Sequence, residues 1–227
     1  MIPLPTKKYQ IIYADPPWDY GNTKNLKGKF WGMADKHYPV MKLKDIKALP
    51  INELADENCY LFLWTTSPFM EKSFEVIKAW GFKYATVGFV WVKMKNDMSA
   101  VRGDGLGKYT ISNAEYCLIA RKGKYHREAR NVKQIVMSPK REHSKKPDEV
   151  RDRIIDLCGD IPRVELFARQ EVEGWDCWGN EVNKTKGENN MEDKKRVPFN
   201  EKGEIVCKDC CKDCELFECP ANQTRCQ

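Results

Sequence analysis

The amino-acid sequence predicts an α/β protein: a doubly wound sheet with helices on both faces, followed by a small cysteine-rich C-terminal tail. Three observations carry this. Short apolar runs of strand character alternate with segments of helical spacing. Two of the runs, residues 59–64 and 84–92, are almost continuously apolar, as in strands covered on both faces. The first run, residues 9–14, stops at Asp15-Pro16-Pro17-Trp18. That places a rigid turn at the carboxyl end of a strand, the edge where open α/β sheets bind ligands.

The elements follow in order. Residues 19–40 are rich in Gly, Lys, Asn and aromatics and read as a long binding loop or lid. Residues 41–49 suggest a short helix stopped by Pro50. After the strand at 59–64, Ser67 is a candidate N-cap with Pro68 at N1. Phe69, Met70, Phe74, Ile77 and Trp80 then recur at helical spacing, and Gly81 ends the helix. Beyond the strand at 84–92, residues 93–110 form a second long loop with Arg102-Gly103-Asp104-Gly105-Leu106-Gly107. These glycines match no dinucleotide or Walker fingerprint and read as a mobile substrate loop. A strand is expected at 115–121. A helix is expected at 147–158, with Pro147 at N1, an apolar face of Val150, Ile154, Ile155 and Cys158, and a stop at Gly159. The next strand is expected at 164–168.

With 227 residues the chain can bury one sizeable core and carry an appendage. The expected division is a domain at 1–183, a polar linker at 184–203 and a cysteine-rich tail at 204–227. The formal charge is +6, and residues 121–153 hold twelve Lys/Arg against five Asp/Glu. A basic segment beside a base-binding turn suggests a polyanionic partner; a solvated helical face is the alternative. No apolar run is long enough for a membrane span, and the first residues lack a signal-peptide core. A cytoplasmic protein is expected, in which the ten cysteines are reduced thiols or metal ligands.

The turn suggests a receptor for a planar group bearing an amino function, such as N6 of adenine. That nitrogen is a poor nucleophile because its lone pair is delocalised into the ring. Asp15 can accept one N6 hydrogen and the Pro16 carbonyl the other, offsetting the positive charge that grows during attack. Pro16 and Pro17 fix φ and aim the carbonyl in advance. Trp18 can stack on an extruded base. The alternative is a Pro-rich turn whose Trp packs on the core.

Asp15-Pro16-Pro17-Trp18 after a strand resembles the catalytic motif of the MT-A70 family of adenine-N6 methyltransferases. Residues 113–120 (Asn-Ala-Glu-Tyr-Cys-Leu-Ile-Ala) resemble its strand after the substrate loop, and 143–149 (His-Ser-Lys-Lys-Pro-Asp-Glu) its His-Ser-x-Lys-Pro-x-Glu segment. Residues 163–169 (Arg-Val-Glu-Leu-Phe-Ala-Arg) resemble its Glu-Leu-Phe-(Gly/Ala)-Arg strand, and 175–180 its closing Trp…Gly-Asn segment. The motifs keep the family's order over residues 9–183. The resemblance implies a Rossmann-like methyltransferase sheet with permuted motif order, catalytic turn early and cofactor strand late. It implies S-adenosylmethionine as methyl donor, with Lys146 on the cofactor's carboxylate and Arg169 and Asn180 around its ribose and adenine. Glu181 stands where the family usually has an amide, which weakens that contact. Asp15 doubles as a partner for the cofactor's amine. Glu165 is either a ligand of the ribose diol or part of a buried ion pair. Tyr20, His37 and Tyr38 are candidates to line the base pocket, His37 reading better as a surface residue.

The tail holds Cys207, Cys210, Cys211, Cys214, Cys219 and Cys226 with almost no apolar residues. Cys-x-x-Cys pairs deliver two thiolates from one turn, so zinc held by four of the six is the preferred reading. An iron–sulfur cluster or a disulfide knot are the alternatives. Cys59, Cys117, Cys158 and Cys177 sit in apolar contexts and are expected in the core. The activity expected from the resemblance is adenine-N6 methylation of DNA, with RNA as the second choice. A silent nucleic-acid-binding subunit is a third reading and a cytosine-N4 enzyme a fourth. A homo- or heterodimer is compatible with all of them.

Overall fold

The computed structural model describes residues 3–19, 23–24, 30–31, 40–103, 109–124, 126–141, 145–180 and 182. Tyr20, His37, Tyr38, His143, Ser144, Glu181, the linker and the six tail cysteines lie outside them.

The chain enters its sheet at the centre. Strand β1 (Tyr9–Ala14) is flanked by β4 (Ala55–Thr65) on one side and β8 (Arg163–Leu166) on the other, parallel to both. A two-stranded ribbon, β2 (Thr23–Lys24) with β3 (Phe30–Trp31), lies outside this sheet. Beyond β4 come β6 (Ala114–Lys122), β5 (Lys83–Met94) and β7 (Ile135–Pro139); beyond β8 comes β9 (Asp176–Trp178). The order is β7-β5-β6-β4-β1-β8-β9. β6 is antiparallel to both neighbours, and the other six strands share one direction. The chain leaves β1 first toward β4 and returns last to β8. The strand order therefore reverses beside β1 and opens a crevice at the carboxyl ends of β1 and β8.

Successive β1 side chains point to opposite faces, and each face has its own core. Ile12 and Ala14 pack with α1 (Leu43–Lys47), α2 (Ile51–Leu54) and α3 (Met70–Ala79) through Ile46, Ile51, Leu54, Val76 and Ile77. Ile11 and Tyr13 pack with α4 (Glu149–Cys158) through Val150, Ile154 and Cys158. Cys59, Cys117 and Cys158 are buried as expected, and Cys177 is half-buried.

The departures have local causes. The helix expected at 41–49 starts later, at Leu43, because Met41 is bridged to Trp18 and Lys42 is extended. Ser67–Phe69 form a 3-10 turn with Thr66 at its N-cap position and no side-chain cap, so Pro68 falls inside that turn and α3 starts only at Met70. Phe74, expected in the core, is 39% exposed and stands edge-on to Tyr84. The helix expected from Pro147 starts at Glu149, and Asp148 makes no side-chain cap because Arg141 and Arg151 take its carboxylate. The buried place on α4 expected of Ile155 goes to Arg151. The strand expected through Ala168 ends at Leu166, because Phe167 adopts φ +61°. β7 was not anticipated from the sequence. Among the described residues no helix is long and apolar enough to cross a membrane.

Candidate active site

The Asp15 turn leaves the central strand at the crevice and is tied down on three sides. The Pro16 carbonyl accepts the Trp18 backbone N–H at 2.9 Å, and the Pro17 carbonyl accepts that of Met41. The Trp18 indole N–H donates to the Trp64 carbonyl at 3.2 Å. Trp18, expected to offer its ring to a base, is 5% exposed and stacks on Phe69 at 5.3 Å between centroids. Its observed place is that of an anchor in the core. The Pro16 oxygen keeps a second lone pair for a substrate donor, and its direction is fixed by the turn.

Behind Asp15 runs a line of alternating charges. Lys146 Nζ lies 2.7 Å from Asp15 Oδ2 and 3.2 Å from Glu115 Oε2, and Lys93 Nζ lies 2.6 Å from Glu115 Oε1. Asp15 comes from the end of β1, Glu115 from β6, Lys93 from β5, and Lys146 from the segment before α4. Lys146 also sits 5.5 Å from the centre of the Trp64 ring, and Lys93 5.3 Å from that of Trp91. Burial pushes the Glu115 carboxyl up, but Lys146 and Lys93 outweigh it and hold it below the ordinary range. Burial opposes the charge on Lys146, yet Asp15 and Glu115 raise it well above an ordinary lysine. Asp15, with 23% of its side chain exposed, is the one member open toward the crevice; the other three are 16% exposed or less. Sequence reasoning missed Glu115 and Lys93 as site members. The available signal was a lone carboxylate inside the apolar run of β6, which demands a buried countercharge.

Lys146 was expected at the start of a helix; it lies three residues before α4. Arg141 braces that segment, donating to the Lys146 carbonyl at 2.6 Å and pairing with Asp148, which holds the Asp148 carboxyl low. Lys145 donates to Gln170 at 2.9 Å. Glu165 makes the buried ion pair that was one of its two alternatives. Arg151 Nε and Nη2 reach its two oxygens at 2.7 and 2.9 Å, a bidentate fork in the core below the crevice.

Phe167, Ala168 and Arg169 leave β8 at the crevice, with Phe167 edge-on to Trp178. A left-handed backbone at a non-glycine residue stores strain of about 1–3 kcal/mol, and such strain clusters at ligand sites. Gly179 lies so close that an added Cβ would sit 2.1 Å from the Ala168 oxygen, so only glycine fits. Asn180 follows it, exposed, and Arg169 is half-buried.

The donor set fits the methionine end of S-adenosylmethionine. That end carries a carboxylate and an ammonium, and Lys146 beside Asp15 offers the opposite charges at hydrogen-bond spacing. Among the described residues no three His, Cys, Asp or Glu converge on a metal position.

The basic segment does not lie where the sequence suggested. β6 runs against its neighbours, so Lys122 pairs with Cys59 near the amino end of β4, while Tyr116 pairs with Thr65 beside the site. The Lys124 N–H then reaches the Asn58 side chain, and the Glu128 N–H reaches the Leu157 carbonyl at the far end of α4. Residues 122–124 and 126–130 thus lie toward the amino edge of the sheet. Of the basic segment, Lys146 pairs with Asp15 directly.

Comparison with known proteins agrees with this geometry. The MT-A70 family profile matches residues 9–181. The type II methyltransferase M.MunI of a Mycoplasma species is 40% identical over 79% of this chain and 80% of its own. A putative N(6)-adenosine-methyltransferase MT-A70-like protein of Medicago truncatula is 30% identical over 77% of this chain, which spans 26% of that protein. The human N(6)-adenosine-methyltransferase catalytic subunit METTL3 is 26% identical over 77% of this chain and 28% of its own. The mixed seven-stranded sheet is consistent with a Rossmann-like methyltransferase fold. With its turn, sheet order and family match in agreement, the chain belongs to the MT-A70 family of S-adenosylmethionine-dependent adenine-N6 methyltransferases.

Proposed function

We propose that the protein transfers a methyl group to N6 of adenine in DNA. The observation that carries this is the open Asp15 carboxylate, held by Lys146 at 2.7 Å beside the pre-aimed Pro16 carbonyl. Lys146 takes Asp15 Oδ2, so Oδ1 is the oxygen to receive one N6 hydrogen. The free lone pair of Pro16 receives the other. Together they orient the nitrogen and offset the positive charge that develops on it. The proton released at N6 leaves through the partly exposed Asp15 carboxylate. Trp18 keeps the turn in place from the core. S-adenosylmethionine, when bound, supplies an electrophilic methyl group. Lys146 and Asp15 would hold its methionine end, with Arg169, Asn180 and Glu181 toward its ribose and adenine. DNA is preferred because M.MunI, similar over four fifths of both chains, is a type II methyltransferase.

RNA is the second reading, favoured by the N(6)-adenosine-methyltransferases among the relatives, of which this chain spans about a quarter. Labelled S-adenosylmethionine offered with matched DNA and RNA oligonucleotides decides between them. Label on adenine N6 of DNA supports the proposal; label on RNA alone refutes its substrate. Absence of both methyl transfer and cofactor binding would indicate a silent subunit. Zinc bound by four of Cys207, Cys210, Cys211, Cys214, Cys219 and Cys226 is a further proposal, and elemental analysis showing no bound zinc would rule it out.

A further inference from the structure

Asp15 ends a line that starts on another strand. Glu115 gives Oε1 to Lys93 and Oε2 to Lys146, and Lys146 divides itself between Glu115 at 3.2 Å and Asp15 at 2.7 Å. The four charges cancel, and three of them are nearly buried. We propose that Lys93 is a positioning residue for methyl transfer, acting through Glu115 and Lys146 to set the direction of the Asp15 carboxylate. This rests on the reading of function above.

The physical reason is competition for one ammonium. With Lys93 present, half of Glu115 is already neutralised, and Lys146 makes its shorter contact with Asp15. Without the Lys93 charge the cluster becomes net negative. Glu115 then draws Lys146 toward itself, in surroundings where attraction is poorly screened. Asp15 Oδ2 loses its holder, the carboxylate rotates, and Oδ1 leaves the line of the N6 hydrogen. A displacement of about 1 Å at a reacting group costs on the order of 10²-fold in rate. The main chain at Lys93 is secured independently: its N–H donates to the Asn113 carbonyl at 2.9 Å, and its carbonyl accepts from the Arg102 N–H at 2.8 Å. A change of side chain therefore leaves the backbone anchored.

The test compares full-length Lys93→Met, Lys93→Arg and the double variant Lys93→Met/Glu115→Gln in methyl transfer, with Tm measured beside each. The expected result for Lys93→Met is a kcat lower by on the order of 10 to 10²-fold with cofactor Kd little changed. Lys93→Arg keeps most of the rate. The double variant recovers much of the loss, because Lys146 no longer has a second carboxylate pulling on it. Wild-type kcat in Lys93→Met overturns the proposal. So does a loss that neither Arg nor the double variant relieves and that follows Tm. A wild-type protein that transfers no methyl group would overturn the function and leave this inference to a second readout. That readout is the crystal structure of Lys93→Met. Lys146 Nζ drawn off Asp15 Oδ2 onto Glu115 supports the role of Lys93; Lys146 unmoved at 2.7 Å from Asp15 overturns it.

Discussion

Two systems of paired charges lie within this sheet, and they end differently. Arg151 meets both carboxylate oxygens of Glu165 with two guanidinium nitrogens, and its third nitrogen goes to Asp148. Lys93, Glu115, Lys146 and Asp15 form a line, and its last member opens on the crevice. Both systems bury charge, which is costly unless paired. What separates them is whether an oxygen is left over. The Arg151–Glu165 fork serves the fold, whereas a line with an open end carries the orientation of buried groups to a surface where chemistry can use it.

The sharpest way to break the comparison is at the two carboxylates. Asp15→Ala removes the open end, and methyl transfer should fall by on the order of 10³-fold or more. Tm should stay near wild type, since Lys146 retains Glu115. Full activity in this variant would sink the mechanism. Glu165→Gln should do the reverse. It leaves Arg151 with Asp148 as its remaining counter-ion and should cost about 1–3 kcal/mol in urea unfolding. Replacing both partners by apolar residues (Arg151→Met with Glu165→Leu) should regain most of that. If the double variant folds but loses cofactor affinity, Glu165 touches the ribose as well, and the division between the two systems fails.

Lys146→Ala should produce a smaller, directional change. Loss of a charge-assisted contact corresponds to roughly 10 to 10²-fold in cofactor affinity, with nucleic-acid affinity less affected; calorimetry showing the opposite order would displace the cofactor from this end of the crevice. The smallest effect is that of pH. The Glu115 carboxyl lies below its ordinary value when folded, so its contribution is complete above the ordinary glutamate range and is lost as pH falls through the lowered value. Lys146 lies above its ordinary value, so its contribution is complete below the ordinary lysine range and persists until pH rises through the raised one. Tm should therefore be level across neutral pH and fall in acid. Glu115→Gln should flatten the acid fall, and an unchanged slope would show that Glu115 does not titrate as described.

The open end was legible in the sequence and the rest of the line was not. Asp15-Pro16-Pro17-Trp18 announces itself because it breaks an apolar strand with residues of fixed geometry. Lys93 and Glu115 are 22 positions apart and meet only because β5 and β6 pair antiparallel. Register of that kind is set by long-range packing, which a single sequence does not display. Arg151 was hidden for a related reason. Helical periodicity marks buried positions by apolarity, and here a cation fills one because a carboxylate waits on β8. Trp18 shows the converse. Its type suggested a platform for a base, while Phe69 and the Trp64 carbonyl, both far along the chain, decide that it packs inward. β7 was missed because it is short, five residues ending in Pro139, and only Val136 of its apolar residues is buried.

The reversed strand β6 has a consequence for how this enzyme should respond to ionic strength. Lys122 lies five residues of strand from the level of Asp15, or about 17 Å at 3.3 Å per residue. A duplex whose adenine reaches Asp15 cannot press the same phosphates against Lys122, Lys124 and Arg127. The number of counterions released on binding, read from the slope of log K against log salt, counts the phosphates neutralised. For a short oligonucleotide confined to the crevice, that slope should be shallower than the basic composition of residues 121–153 implies, and it should steepen as flanking duplex is added.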